Sequence, residues 1–193
     1  IREVRRRAPR MRLLVVPRPA TGVADMLARG EIDLCLSLRE LAIPDLPARL
    51  LYRDRYICVA RKRHPLRGSR ITTKQLCTFD HLMVDPTGRS FVGPVDAALA
   101  ARGHHRRIAF AVPSFPVLLE VLQFGDFFAF VPERLLLKRR PDLKTFQTDL
   151  SIPPLEVIAN WHPRAAGDAQ HKWLRDLLAE VLKRPRQDSV GGP

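Results

Sequence analysis

A chain of 193 residues with 46% hydrophobic content is long enough for one or two domains with a sizeable core. No apolar run approaches the roughly 18 residues that a membrane span requires. Cys35, Cys58 and Cys77 are odd in number, far apart and set in apolar segments, which speaks against a disulfide frame and for small core residues in a reducing, cytoplasmic setting. The net charge of +13 is uneven: residues 1–70 hold 17 Lys/Arg against 7 Asp/Glu, and the rest hold 16 against 13. A basic end invites a nucleic-acid reading. A solvated, arginine-rich helix face is the plainer one, and no aromatic residue interleaves the arginines of 1–12 to stack bases.

In chain order, residues 1–8 read as the last turns of a helix, with Val4 inward and Pro9 as its stop. A secretory leader would continue into about 7–15 apolar residues, whereas LLVV ends at Pro17, so no signal is expected here. Residues 11–16 (MRLLVV) predict a strand. Thr21 is placed to cap a helix through Leu27 that Gly30 closes, and 32–38 predicts the next strand. Helix–strand–helix–strand normally opens with one more strand, so the chain is expected to begin inside its first repeat. Residues 39–49 are a proline-punctuated loop. The segment 50–60 is long for a buried strand and interrupted by Arg53, Asp54 and Arg55, which suits a strand crossing between two lobes.

Thr72 and Gln75 fit a capping box, with Ile71 and Leu76 spaced as a hydrophobic staple. Between 81 and 132, short apolar segments (HLMV, IAFAV, FFAFV) alternate with two helical ones, opened by Gly93-Pro94 and by Ser114. That alternation predicts a parallel α/β sheet. The turns after its strands fall at Asp85-Pro86-Thr87-Gly88, Pro113-Ser114-Phe115 and Pro132-Glu133, all at the carboxyl edge where open α/β sheets bind ligands. Beyond them come a short helix (133–139), a strand (143–148), a second long apolar strand (155–163) and a final helix that Asp168 caps. Trp173, Leu174, Leu177, Leu178, Val181 and Leu182 form its stripe. Residues 183–193 read as a disordered tail.

Taken together, LARGEIDLCLS, LYRDRYICVARKRHPL, HLMVDPTGRSFVGPVDAALAARG, RRIAFAVPSFPVLLEVL, FVPERL and NWHPRAAGDAQHKWLRDLL follow one another as in the effector-binding domain of LysR-type transcriptional regulators. The resemblance covers about residues 4–182. It implies an α/β fold of two Rossmann-like lobes joined by two crossover strands, of the type II periplasmic-binding-protein kind, with the first strand missing. Lobe one would be 1–54 plus 160–182, and lobe two 55–159. It also implies a small-molecule effector between the lobes, assembly as homodimers or homotetramers, and promoter DNA bound through an N-terminal winged helix-turn-helix that this sequence does not contain.

The candidate contacts divide between the lobes. Thr87, Gly88 and Asp85 form a turn whose hydroxyl and N–H groups would hold a carboxylate; a plain turn is the alternative. Ser114 and Phe115 offer a hydroxyl and an aromatic wall, although Ser114 also reads as an N-cap alone. Phe130 and Pro132 end the next strand, with Phe130 equally a core residue. Arg18 would pair with an anion, and Ser37, with Leu38, ends the strand 32–38 facing the cleft; a solvated loop arginine and a strand-end serine are the alternatives. His162 and His171 lack partners at metal-ligand spacing, and Asp96, Glu120 and Asp126 read as scattered and solvent-compatible. No nucleophile elbow, P-loop or dinucleotide fingerprint is present, so neither an enzyme nor a cofactor is expected. An exported solute-binding receptor of a transporter shares the expected architecture and stands as the alternative function.

Overall fold

The computed structural model describes residues 1–86, 90–136 and 140–183. In chain order the helices are α1 (Arg2–Arg7), α2 (Val23–Arg29), α3 (Thr73–Leu76), α4 (Pro94–Ala100), α5 (Phe115–Val121) and α6 (Ala169–Lys183). The strands are β1 (Cys35–Leu38), β2 (Ala48–Asp54), β3 (Tyr56–Arg61), β4 (Arg70–Ile71), β5 (Asp80–Val84), β6 (Arg107–Val112), β7 (Phe127–Pro132), β8 (Leu143–Thr148) and β9 (Leu155–Asn160). Backbone proximity divides the chain into two compact units, Ile1–Arg53 with the described chain from Leu155 onward, and Asp54–Pro154. The chain passes between them at Arg53–Asp54 and returns at Pro154–Leu155. The segment 50–60, expected as one long strand, is two strands in two sheets with Arg55 between them.

The first unit holds a three-stranded sheet in the order β1-β9-β2, with β1 antiparallel to β9. Leu51, Ala159 and Ala179 join it to α6, while Val23 and Leu27 of α2 pack on Cys35. Gly30 ends α2 at φ 75°, the left-handed geometry that glycine adopts without a Cβ penalty; the N-cap is Gly22 and not Thr21. Two expectations are corrected here. The strand predicted over 32–38 spans only Cys35–Leu38. The strand predicted over 11–16 does not form. Its composition suits a strand, but a strand exists only where its N–H and C=O groups find a ladder. No described strand pairs with it, and Leu14 and Val15 are 89% and 85% exposed.

The second unit is built on a six-stranded sheet, β4-β8-β3-β7-β5-β6. Strands β5, β6 and β7 run parallel, as the alternating pattern of 81–132 requires, while β3 is antiparallel to β7 and β8. One face buries Phe128, Phe130, Phe146, Leu76 and Leu99, with Phe128 edge-on to Phe79 and Phe146. The other buries Val59, Leu82, Val131 and the α5 residues Leu118 and Leu119. The capping box forms in full: Thr72 Oγ1 accepts from the Gln75 amide at 3.2 Å, and Gln75 Oε1 accepts from the Thr72 amide at 3.1 Å. Asp168 caps α6 by accepting from the His171 amide at 2.7 Å. Within α6 the buried set is Arg175, Leu177 and Ala179, so the apolar stripe is interrupted by a buried arginine. Arg175 lies over the Trp161 ring at 4.4 Å and donates to the carbonyls of Ala165 and Ala166. The short helix expected over 133–139 is a 3-10 turn at Glu133–Leu136; residues 137–139, like the tail from 184, lie outside the described residues.

Asp96 is not the scattered, solvent-compatible carboxylate that the sequence suggests. It pairs through both oxygens with Arg106 at 2.8 Å and 2.8 Å, and the Arg106 side chain is only 3% exposed. It also accepts from the Gly93 amide at 2.8 Å, closing the first turn of α4. Burial raises its carboxyl, and the Arg106 pair outweighs that and leaves it below the ordinary carboxylate range. Arg106 also approaches His81 Nδ1 at 3.5 Å, and His81 Nε2 meets the Leu76 carbonyl at 3.0 Å. These contacts tie β5, α3, α4 and the start of β6 into one buried polar cluster.

Candidate functional site

In the second unit the carboxyl ends of β5, β6 and β7 lie side by side, because β5 pairs parallel with both neighbours. Asp85 follows β5 and is 9% exposed; its amide donates to the Val112 carbonyl at 2.9 Å, which sets it against the end of β6. Its carboxylate accepts from the Ser90 amide at 2.7 Å. Ser114 follows β6 as the N-cap residue of α5, yet its hydroxyl makes no capping hydrogen bond. Its carbonyl takes the Leu118 amide at 3.0 Å, so the backbone alone starts the helix. That leaves a half-buried hydroxyl beside first-turn N–H groups for which a helix has no internal acceptor. Phe115 is half-buried and leans on the Leu118–Leu119 core. Pro132 ends β7 opposite Tyr56.

The structure thus brings Asp85, Ser114, Phe115 and Pro132 to one sheet edge. Phe130 is not with them. It is 6% exposed, stacks on His81 at 6.4 Å and 7°, and carries Arg106 over its ring at 5.9 Å, so it is a core residue. Thr87 and Gly88 lie outside the described residues. Beside Pro132 a groove of about 810 Å³ opens, lined by Tyr56, Glu133, Thr145, Gln147 and Ser151 among others. Arg55 Nε donates to Glu133 at 2.7 Å on its rim, and that bond holds the Glu133 carboxyl below its usual range. Sequence reasoning missed this groove because Tyr56 and Thr145 reach it only through the pairing of β3 with β7 and β8, which no local signal announces.

Arg18 and Ser37 belong to the first unit. Arg18 is half-buried and donates to the Pro19 carbonyl at 3.1 Å, but its Nε is buried without a hydrogen-bond partner. Ser37 is 8% exposed, opposite Ile158, and its Oγ is likewise unpartnered. Burial raises the Cys35 thiol while the nearby Arg18 charge opposes it, so Arg18 lies beside Cys35; Ser37, two residues along β1, shares that face. Buried polar atoms without partners are rare, and two here mark a polar spot. Among the described residues no group of His, Cys, Asp and Glu could hold a metal, and no helix is long and apolar enough to cross a membrane.

The sequence model of the LysR substrate binding domain matches residues 1–183. The chain belongs to that family. Among similar LysR-type regulators, the transcriptional activator NagR of a Ralstonia species is 29% identical over 182 residues, covering 91% of this chain and 59% of its own. The transcriptional activator NahR of Pseudomonas putida is 27% identical over 181 residues, with the same coverage. The chain therefore spans somewhat more than half of these relatives. Among solved LysR-like folds, the regulatory domain of the Pseudomonas aeruginosa activator MexT superposes with a TM-score of 0.77 at 22% identity, over 93% of this chain and 87% of that one. The LysR-type regulator CrgA of Neisseria meningitidis gives 0.74 at 20%, over 95% and 62%. These likenesses carry the fold: a mixed α/β, periplasmic-binding-protein-like LysR regulatory domain. The family is one of transcriptional regulators that sense effectors, and nothing in the comparisons supports an exported receptor.

Proposed function

We propose that this chain senses a small aromatic or carboxylic acid for a cytoplasmic LysR-type regulator. The observation that carries the reading is Ser114, a hydroxyl that its helix does not use, set beside Phe115 and next to Asp85 at the carboxyl edge of three parallel strands. The Ser114 hydroxyl and the α5 N–H groups offer donors to a carboxylate, and Phe115 an aromatic wall. Thr87 and Gly88 extend the same turn set in sequence. In the first unit, Arg18 and Ser37, with their unpartnered buried atoms, are a second candidate polar contact. We read the two units as the two effector-binding lobes, with residues 155–159, expected in the second lobe, belonging instead to the first through β9.

The effector acts by population shift. Only its differential affinity for two lobe arrangements biases the regulator, and promoter DNA is bound by an N-terminal winged helix-turn-helix in the full protein. Homodimer or homotetramer assembly uses the face of α1 and residues 11–16, a reading that the exposure of Leu14 and Val15 supports. A thermal-shift screen tests the ligand class. Aromatic and carboxylic acids raise the melting temperature while matched neutral compounds do not; stabilisation by the neutral set alone refutes the reading.

A further inference from the structure

Between Asp54 and Asp80 the sequence has seven cations and no acid. The structure turns the middle of this stretch into a fixed display. The loop 62–69 lies along β8 and is pinned at three points. The Lys62 amide donates to the Asp142 carbonyl at 2.7 Å, Lys144 Nζ to the Leu66 carbonyl at 2.7 Å, and the Gln147 amide to the Ser69 carbonyl at 2.7 Å. Arg70 then enters β4, the outermost strand of the six-stranded sheet.

Lys62, Arg63, Arg67 and Arg70 are all exposed, and among the described residues none is in an ion pair. The nearby acids are already engaged: Asp126 with Arg61 at 2.7 Å, Asp142 with Arg140 at 2.7 Å, and Asp149 with Thr73 at 2.7 Å. The positive charge is therefore uncompensated. The outer pins at Asp142 and Gln147 are five residue steps apart along β8, about 17 Å at about 3.3 Å per step. One strand of duplex DNA places a phosphate roughly every 3.4 Å along the axis, so the loop faces about five phosphates. The display starts beyond Arg61, at the end of the sheet opposite Pro132, and runs along the β8 edge to Arg70, which pairs with Gln147.

We infer that the loop 62–70 is a sequence-independent contact for the phosphate backbone of duplex DNA, with Lys62, Arg63, Arg67 and Arg70 as its cations. No exposed large apolar residue lies in the loop to anchor a lipid or a protein groove, and Arg and Lys on an extended edge suit phosphates spaced along a line. Such a contact positions a regulator on DNA without reading bases. It needs no effector, so its failure leaves the effector reading untouched.

The test is fluorescence anisotropy of this chain with a labelled 20-base-pair duplex of arbitrary sequence, from about 50 to 200 mM salt. Four phosphate contacts give a slope of log K against log salt of about −3.6, a loss of roughly 150-fold over that range. Arg63→Gln with Arg67→Gln halves the slope, and Lys62→Gln with Arg70→Gln does the same. Arg2→Gln with Arg5→Gln, exposed arginines of α1, leaves the slope unchanged. Melting temperatures confirm that each variant is folded. Equal losses from all three pairs would mean bulk charge only and overturn the inference. So would an absence of salt-dependent binding at 50 mM, or poly-glutamate binding as tightly as the duplex.

Discussion

His81 gives the sharpest quantitative test of the second unit. Its ring is fully buried between the Leu76 carbonyl, Phe130 and Arg106, with Asp96 behind Arg106. Burial first, and the Arg106 charge second, push its pKa from an ordinary 6.5 down to about 4. Because the folded value lies below the unfolded one, the stability from the neutral ring is fully present above about pH 6.5 and is lost as pH falls toward 4. At about 1.36 kcal/mol per unit the full window is worth about 3 kcal/mol, of which roughly 2.5 is lost by pH 4.5. For a chain of this size each kcal/mol moves the melting temperature by about 2–4 °C, so His81 accounts for a fall of about 5–10 °C between pH 7.5 and 4.5. His81→Gln keeps an amide able to donate toward Leu76 and removes the titration. Circular-dichroism melts of both proteins at both pH values isolate the His81 contribution from that of the carboxylates. The wild type is expected to fall further than the variant by that amount; equal falls would refute the buried neutral ring.

Other consequences are local. Arg106→Met leaves the Asp96 carboxylate half-buried and without its pair, and costs about 3–5 kcal/mol in a urea melt. Thr72→Ala removes one arm of the capping box and costs about 1 kcal/mol in the same assay. Burial raises the thiols of Cys35, Cys58 and Cys77, but Cys77 is the one that is partly exposed. Iodoacetamide under native conditions therefore labels Cys77 first by peptide mass spectrometry, and Cys58 last.

What was legible in the sequence is what depends on neighbours within a turn or two. The Thr72–Gln75 box, the Asp168 cap, Gly30 at the end of α2 and Pro94 at the start of α4 are all contacts at short spacing, and all form. The parallel run β5, β6, β7 was legible because β5 and β6 are each followed by a turn and a helix, and β7 by a turn of its own. Partners distant in sequence were not. Asp96 and Arg106 meet across the gap between α4 and β6, and neither residue type announces a buried pair. Residues 11–16 have strand composition, but whether a ladder forms depends on a partner that local sequence does not specify. Phe130 reads equally as core or pocket until its stacking on His81 places it inside. At the candidate site, the turn after β6 was found by its position in the pattern, while the freedom of the Ser114 hydroxyl is visible only in three dimensions.

The Ser114 hydroxyl is the contact on which the proposed effector binding at the β6 edge depends. Calorimetric titration of the wild type and Ser114→Ala with a panel of small aromatic carboxylates and their matching amides separates the hydroxyl from general affinity. A hydrogen bond to a charged group contributes about 1.5–3 kcal/mol, so the acids that bind are expected to weaken roughly 10–100-fold in the variant. The amides bind both proteins poorly, and the melting temperature of the free variant is unchanged. Acids that bind Ser114→Ala as tightly as the wild type would contradict the account and move the effector away from the carboxyl edge of β6.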